Sequence, residues 1–133
     1  MSVSLPISNA QQQISALHDI GQILGSTTQF EDALNSILKL MCDQLDMSLG
    51  TVSLLSQEET QVSIDIAYGL SASEIKRGHY QVGEGITGKV VESGKAVIVP
   101  RISSEPLFLN RTRAHESSEK EQISSICVPI LLQ

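Results

Sequence analysis

A glycine-rich turn at residues 83–88, Gly-Glu-Gly-Ile-Thr-Gly, is the feature that most restricts the fold of this chain. Its glycine spacing resembles the dinucleotide-binding fingerprint, in which a helix N-terminus faces a pyrophosphate. That fingerprint requires a crossover connection of about a dozen residues or more, most often a helix. Here the helical pattern of residues 86–93 ends at Gly94, and a short apolar strand follows at residues 96–99. The sequence therefore predicts a short helix and a strand rather than a nucleotide-binding βαβ unit.

Two helices and a β-hairpin are predicted ahead of this turn. Apolar residues recur at helical spacing in residues 8–25 and 28–45. An alternation of period two in residues 49–55 and 62–66, on either side of a polar turn, predicts the hairpin. A final apolar strand is expected at residues 123–132. This order indicates an α+β fold, with the N-terminal helices on one face of an antiparallel sheet and the short helix and a loop on the other.

The ends and faces of the two N-terminal helices are also predicted. Ser8 is expected to cap the first helix, and Thr28 with Glu31 to form a capping box at the start of the second. The buried stripe of the second helix is expected to begin at Phe30 and to continue through Leu34, Ile37, Leu38, Met41 and Leu45.

Charge is distributed unevenly along the 133 residues, whose formal net charge is -6. Residues 1–75 hold nine acids and one base (net -8), whereas residues 76–133 hold six acids and eight bases (net +2). Neutralising phosphates needs a basic face, and binding single strands needs aromatic platforms, of which this chain has two Tyr, two Phe and no Trp. These observations argue against direct nucleic-acid binding. The second half is where a small anion would find a site.

No apolar run approaches the roughly 20 residues of a membrane span, and no secretory signal is recognisable, so we expect a cytoplasmic protein that does not contact the membrane. Cys42 and Cys127 each lie in an apolar run without a neighbouring Cys or His at metal-ligand spacing. They are predicted to be buried hydrophobic residues, and neither a metal nor a cofactor is expected.

The proline-bounded loop at residues 100–112 carries the first candidate site residues. Arg101 and Arg111 are predicted to bind a ligand anion, because a guanidinium group is suited to bidentate capture of a carboxylate. Pro106 and Phe108 are predicted to hold the loop against the domain, with the Phe108 ring turned inward. The alternative is a solvated loop whose arginines form surface salt bridges.

The glycine turn carries the remaining candidates. Gly83, Gly85 and Gly88 are predicted to allow positive φ and a close approach of the helix to the sheet. Three neighbouring side chains are candidate ligand contacts: Thr87, Glu84 and His79. Alternatively, Glu84 is a first-turn acid favoured by the helix dipole, and His79 is a polar residue at the sheet edge.

These elements, with the turn at residues 83–88 and Cys127-Val-Pro-Ile130, resemble a GAF domain, the small-molecule sensor module of signalling proteins. The loop at residues 100–112, beside Tyr68-Gly-Leu70, is similar to that of the N-terminal sensor domain of Nif-specific regulatory proteins. Those proteins are sigma-54-dependent activators of nitrogenase genes. The resemblance runs from about residue 15 to residue 131.

The resemblance implies one GAF-like sensor domain over residues 1–133, truncated before the family's C-terminal strand and helix, with ATPase and DNA-binding functions in other domains. It also implies regulation without catalysis, a metabolic effector with 2-oxoglutarate as the candidate, and control by a PII-type protein or an anti-activator. One alternative is an interaction module without a ligand. Another is a GAF-fold methionine sulfoxide reductase, which would need clustered cysteines. No nucleophile motif supports catalysis.

The N-terminal helix, residues 1–25, is a candidate for dimerisation. Apolar or small residues at a three-then-four spacing form a seam of the coiled-coil type, and the family's activators work as dimers and larger rings. The alternative is that this seam packs on the second helix of the same chain. The candidate dimerisation residues are Ile14, Leu17, Gly21 and Leu24.

Overall fold

The computed structural model describes residues 4–26, 28–112 and 123–131, with the backbone alone for residues 4–8. In chain order the elements are α1 Ser4–Ser26, α2 Phe30–Gln44, β1 Gly50–Leu55, β2 Gln61–Tyr68, α3 Ala72–Arg77, β3 His79–Gln81, α4 Gly85–Ser93, β4 Val97–Val99, a 3₁₀ helix Ile102–Ser104, and β5 Ser125–Cys127. The predicted α+β class, the hairpin and the short helix after the glycine turn are confirmed.

The described strands form two antiparallel pairings that matter for the site. One sheet has the order β1-β2-β3, and Val62 of β2 lies opposite Tyr80 of β3. The other consists of β4 and β5, with Ile98 opposite Ile126. Side chains alternate between the faces of a strand, so Val62 and Ile66 of β2 are both buried. This alternation is the period-two pattern that the sequence shows.

The chain divides into two compact units. The first comprises Met1–Val52 and Ile66–Leu70, and the second comprises Ser53–Asp65 and Ser71–Gln133. In the first unit α1 packs on α2, and the Gln44 side chain donates a hydrogen bond of 2.9 Å to the Asp19 carboxylate. Buried residues of this unit are Ala16, Ala33, Leu38, Cys42 and Ile66.

The predicted starts of the first two helices are wrong. Helix α1 begins at Ser4, so Ser8 lies inside it rather than at its cap. Pro6 is tolerated in the first turn, because the first four N–H groups of a helix have no intrahelical partner. Helix α2 has Gln29 as its N-cap, so Thr28 does not cap it. A capping box instead begins α3, where the Ser71 hydroxyl accepts from the Glu74 backbone and the Glu74 carboxylate accepts from the Ser71 backbone.

Phe30 does not belong to the buried stripe of α2, since 69% of its surface is exposed. Side chains of a helix point back toward its N-terminus, so the ring at the first helical position extends beyond the packed turns. Leu38 of the predicted stripe is buried, and Cys42, which lies outside that stripe, is buried as well. The other predicted members are half-buried: Leu34, Ile37, Met41 and Leu45.

The core of the second unit forms around α4 and β4. Four buried residues, Ile86, Val90, Val99 and Ile102, make one cluster, and Phe108 packs against it. Helix α4 ends where Gly94 adopts a left-handed conformation (φ 67°) and donates to the Val90 carbonyl over 2.8 Å.

Within residues 123–131, strand β5 is shorter than predicted, because only Ser125–Cys127 pairs with β4. Pro129 follows shortly and has no N–H to donate to a ladder. The last residue of the predicted strand, 132, lies outside the described residues.

Candidate functional site

The glycine turn brings α4 against β3. Gly83 and Gly85 have positive φ angles of 88° and 64°, which residues with a Cβ rarely adopt. Gly83 donates to the Gly88 carbonyl over 2.9 Å, and Glu84 donates to the Gln81 carbonyl over 2.9 Å. A Cβ at Gly88 would clash with the Gln81 carbonyl oxygen. The turn therefore holds the start of α4 in direct backbone contact with the end of β3.

Residues 105–112, which we name the strap, pass over the start of α4. A Cβ at Gly85 would lie 3.0 Å from Cδ1 of Leu109, so the strap contacts the glycine turn directly at this position. Phe108 is half-buried against the α4 and β4 cluster, whereas Pro106 is exposed. The strap is thus anchored by packing as well as by polar contacts.

Arg111 makes the central polar contacts of the strap. Its Nη2 donates to the Glu84 carboxylate, and its Nη1 donates to the His79 carbonyl over 3.4 Å. Its guanidinium carbon lies 5.4 Å from the centre of the Tyr80 ring, within the range of a cation–π interaction. These contacts orient the guanidinium group at the junction of β3, the glycine turn and the strap.

A second arginine secures the end of the strap. Arg77, the last residue of α3, donates from Nε and Nη2 to the Thr112 carbonyl over 3.2 and 2.8 Å. The sequence places Arg77 on a short polar helix, and nothing local in the sequence distinguishes it from a surface residue. Its contact joins positions 35 residues apart, which only the tertiary fold reveals.

The two arginines border an open groove with a volume of about 370 Å³. The His79 ring donates from Nδ1 to the Lys76 carbonyl over 3.1 Å, which orients the imidazole. Two guanidinium groups, those of Arg77 and Arg111, line the groove, and of the two only Arg111 is paired with a carboxylate of the described residues, that of Glu84. The groove lining consists of Arg77, His79, Leu109, Asn110 and Arg111.

The structure brings some predicted residues together and separates others. Glu84, His79 and Arg111 meet, as described above. Arg101 instead stands exposed before the 3₁₀ helix and does not line the groove. Thr87 is half-buried, and its hydroxyl hydrogen-bonds to the Cys127 thiol.

Two groups near the site, Cys127 and Tyr80, have perturbed ionisation. Burial raises the pKa of the Cys127 thiol above its ordinary value of 9.0, and the hydrogen bond from Thr87 offsets part of this rise. Burial also raises the pKa of Tyr80 above 10.0, with Arg111 acting in the opposite direction. Tyr80 could have been suspected from its place beside the turn, because aromatic faces attract arginine.

The candidate dimerisation residues occupy one exposed side of α1. Ile14, Leu17 and Leu24 expose 67%, 69% and 55% of their surface, and Gly21 has nothing within 4 Å of an added Cβ. With these exposures the three side chains make little contact with α2 of the same chain, and dimerisation through them stays a prediction.

In residues 4–26, 28–112 and 123–131, no group of three His, Cys, Asp or Glu side chains is placed to hold a metal ion. Within the same ranges no helix has the length and apolar character needed to cross a membrane.

A family model of the GAF domain matches residues 27–133. The chain belongs to the GAF domain family. This GAF domain is 40% identical over 120 residues to nitrogen fixation protein AnfA of Azotobacter vinelandii, covering 90% of this chain and 22% of that protein. It is 33% identical over 130 residues to the Nif-specific regulatory protein of Herbaspirillum seropedicae, covering 98% of this chain and 24% of that protein. It therefore spans less than a quarter of the length of either relative.

Solved structures agree with the fold. The GAF domain of a phosphoenolpyruvate-protein phosphotransferase from Coxiella burnetii matches with a TM-score of 0.80 at 19% identity, over 94% of this chain and 73% of that one. A free methionine-R-sulfoxide reductase from Neisseria meningitidis matches with a TM-score of 0.73 at 18% identity, over 93% of this chain and 67% of that one. At these low sequence identities, the two matches show that the fold is shared and show nothing about function. The family and fold class predicted from the sequence are confirmed.

Proposed function

We propose that this GAF domain is the regulatory sensing domain of a transcription activator of nitrogen-fixation genes and that it controls an attached ATPase output domain. The similarity to AnfA and to a Nif-specific regulatory protein over 90% and 98% of this chain supports the proposal. The domain acts without catalysis. A ligand or a partner protein biases its conformation, and the output domain responds to that bias.

The effector in this proposal is a small carboxylate, with 2-oxoglutarate as the candidate, bound in the groove between Arg77 and Arg111. The two guanidinium groups that line the groove, and the orientation of that of Arg111, support this assignment. The volume of about 370 Å³ lies within the range of small-molecule sites. His79, which lines the groove, is the neighbouring polar side chain that would distinguish one carboxylate from another.

The partners in this proposal are a second copy of the domain and a regulatory protein of the PII or anti-activator type. The exposed seam on α1 supports self-association, because four of its members are apolar or small and exposed along one side of a helix. Helix α1 has one acid, Asp19, and no Lys or Arg, so two copies meet with little charge repulsion. DNA binding lies outside this domain, and the protein works in the cytoplasm.

Isothermal titration calorimetry with 2-oxoglutarate tests the sensing function. Wild type is expected to bind, and Arg111→Ala to weaken binding by about 1.5–3 kcal/mol, the range for a hydrogen bond to a charged group. Arg101→Ala is the matched control, since it removes the same charge from an exposed position outside the groove. Equal affinity in wild type and Arg111→Ala would remove the groove from the proposal. A parallel titration with cyclic nucleotides tests a different ligand class.

An interaction module without a ligand is the second candidate, and the exposed α1 seam is the observation that favours it. In that case wild type binds neither 2-oxoglutarate nor a cyclic nucleotide but still self-associates. Substitutions on α1 then abolish self-association and leave the fold unchanged.

A further inference from the structure

Arg111 already has an anionic partner in this structure, the Glu84 carboxylate. Both side chains are partly in solvent, with 35% and 37% of their surfaces exposed. Exposed ion pairs contribute little to stability, because water and salt screen them. The contact between Arg111 and Glu84 is therefore one that a ligand carboxylate can replace.

Glu84 can release Arg111 without disturbing the backbone around it. Its N–H donates to the Gln81 carbonyl over 2.9 Å, and its carbonyl accepts from Gly88 over 3.0 Å. The positive φ angles of Gly83 and Gly85 on either side fix the turn further. Only the Glu84 side chain has to rotate, and a free carboxylate at the N-terminus of α4 remains favoured by the helix dipole.

Arg111 stays oriented when Glu84 leaves, since two of its contacts do not involve that carboxylate. These are the hydrogen bond to the His79 carbonyl and the approach to the Tyr80 ring. A guanidinium group that is already in place loses little conformational entropy when it binds a new carboxylate.

From this geometry we infer that Glu84 is an internal competitor for the ligand, and that an incoming carboxylate takes its place on Arg111. The inference rests on the proposed function of the groove as a carboxylate site. The exchange of one carboxylate for another keeps the charge at Arg111 balanced. Only molecules in which Glu84 has left Arg111 can bind the ligand there. The apparent affinity is therefore reduced by the fraction of molecules in that state. Ligand binding also breaks the ion pair between the strap and the glycine turn.

The test compares 2-oxoglutarate binding to wild type, Glu84→Gln and Glu92→Gln by calorimetry. Glutamine keeps the shape of Glu84 but removes the charge, so Glu84→Gln is expected to bind about twofold to fivefold more tightly, the range for an exposed ion pair. Glu92→Gln removes the same charge from α4, where Glu92 pairs with Lys89 rather than with Arg111, and it is expected to bind as wild type does. Glu84→Asp, which keeps the charge but draws it back by one methylene, provides a second variant with the same expected direction if Glu84→Gln fails to fold.

The outcomes separate this inference from the proposed function. If wild type binds 2-oxoglutarate and the Glu84 variants bind equally or more weakly, the competition is refuted while the carboxylate site stands. A gain of the same size in Glu92→Gln also refutes it, because the effect is then general electrostatics. If all of these proteins fail to bind, the proposed carboxylate site is wrong and the competition falls with it.

Discussion

Replacement of Gly88 by alanine tests the geometry on which the candidate site depends. The added methyl group would meet the Gln81 carbonyl oxygen and would lie 3.0 Å from the nitrogen and 3.2 Å from the carbonyl carbon of Gly83. All three atoms belong to the backbone, so rotation of a side chain cannot relieve the contacts. Helix α4 must then move away from β3, and the glycine turn must distort.

The magnitude follows from two opposing terms. Overpacking in a well-packed region costs about 1–3 kcal/mol of folding free energy. Because the atoms that the new methyl group meets belong to the rigid backbone, the cost for Gly88→Ala is expected near the upper end of this range. In the opposite direction, replacing glycine by alanine within a helix stabilises the folded state by about 1 kcal/mol. The expected net loss is roughly 2 kcal/mol in the free energy of unfolding.

Urea denaturation followed by circular dichroism measures this difference. Gly25→Ala is the matched control, since Gly25 is also helical but an added Cβ there meets nothing within 4 Å. The control is expected to be as stable as wild type or more stable, by up to about 1 kcal/mol. If Gly88→Ala matches this control, α4 does not approach β3 as closely as described, and the structural role of the turn is refuted.

Three further predictions concern the strap, the thiols and α1. Phe108→Ala is expected to lower the free energy of unfolding by roughly 1.5–2.5 kcal/mol in urea denaturation, about half the loss for a fully buried ring; a loss near zero would place the ring in solvent. Because burial raises the pKa of Cys42 and Cys127 above 9.0, both thiols stay protonated at neutral pH, and iodoacetamide is expected to modify the folded protein slowly until the pH passes that value. Rapid modification at neutral pH would contradict this and would revive the reductase alternative. Leu17→Glu with Leu24→Glu is expected to give folded monomers by sedimentation, whereas a wild type already monomeric at about 100 μM would refute self-association through α1.

The parts of the fold that local sequence specifies were predictable. The period-two alternation of β2 reflects a face on which Val62 and Ile66 are buried and Ile64 is half-buried, whereas Ser63 and Asp65 are exposed. The spacing of Gly83, Gly85 and Gly88 reflects a turn that requires positive φ at two of these glycines and a close backbone approach at the third.

Helix ends were less predictable, because several residues near each end can serve as the cap. A helix can start at Ser4 despite Pro6, since proline costs no hydrogen bond in the first turn. The pattern around Thr28 and Glu31 has the composition of a capping box, but the N-cap is Gln29, one residue later. Composition alone does not decide between such neighbouring starts.

The contacts of the candidate site were the least predictable, because they join distant segments. Arg111 forms an ion pair with Glu84, 27 positions away in the sequence, and Arg77 donates to the carbonyl of Thr112, 35 positions away. The sequence indicates that an arginine in this loop is suited to anions, but it does not indicate which arginine reaches the groove. Arg101 has the same side chain as Arg111 and lies elsewhere.

An NMR titration of the ¹⁵N-labelled domain with 2-oxoglutarate tests most directly the central claim that the groove between Arg77 and Arg111 binds a small carboxylate. The account predicts saturable shifts in the amides of residues 79–88 and of the strap, which Arg111→Ala removes, and little change in α1. A Kd of about 1 mM corresponds to a binding free energy of only about 4 kcal/mol. The absence of chemical-shift changes up to this ligand concentration would therefore contradict the claim. Shifts confined to α1 would contradict it as well.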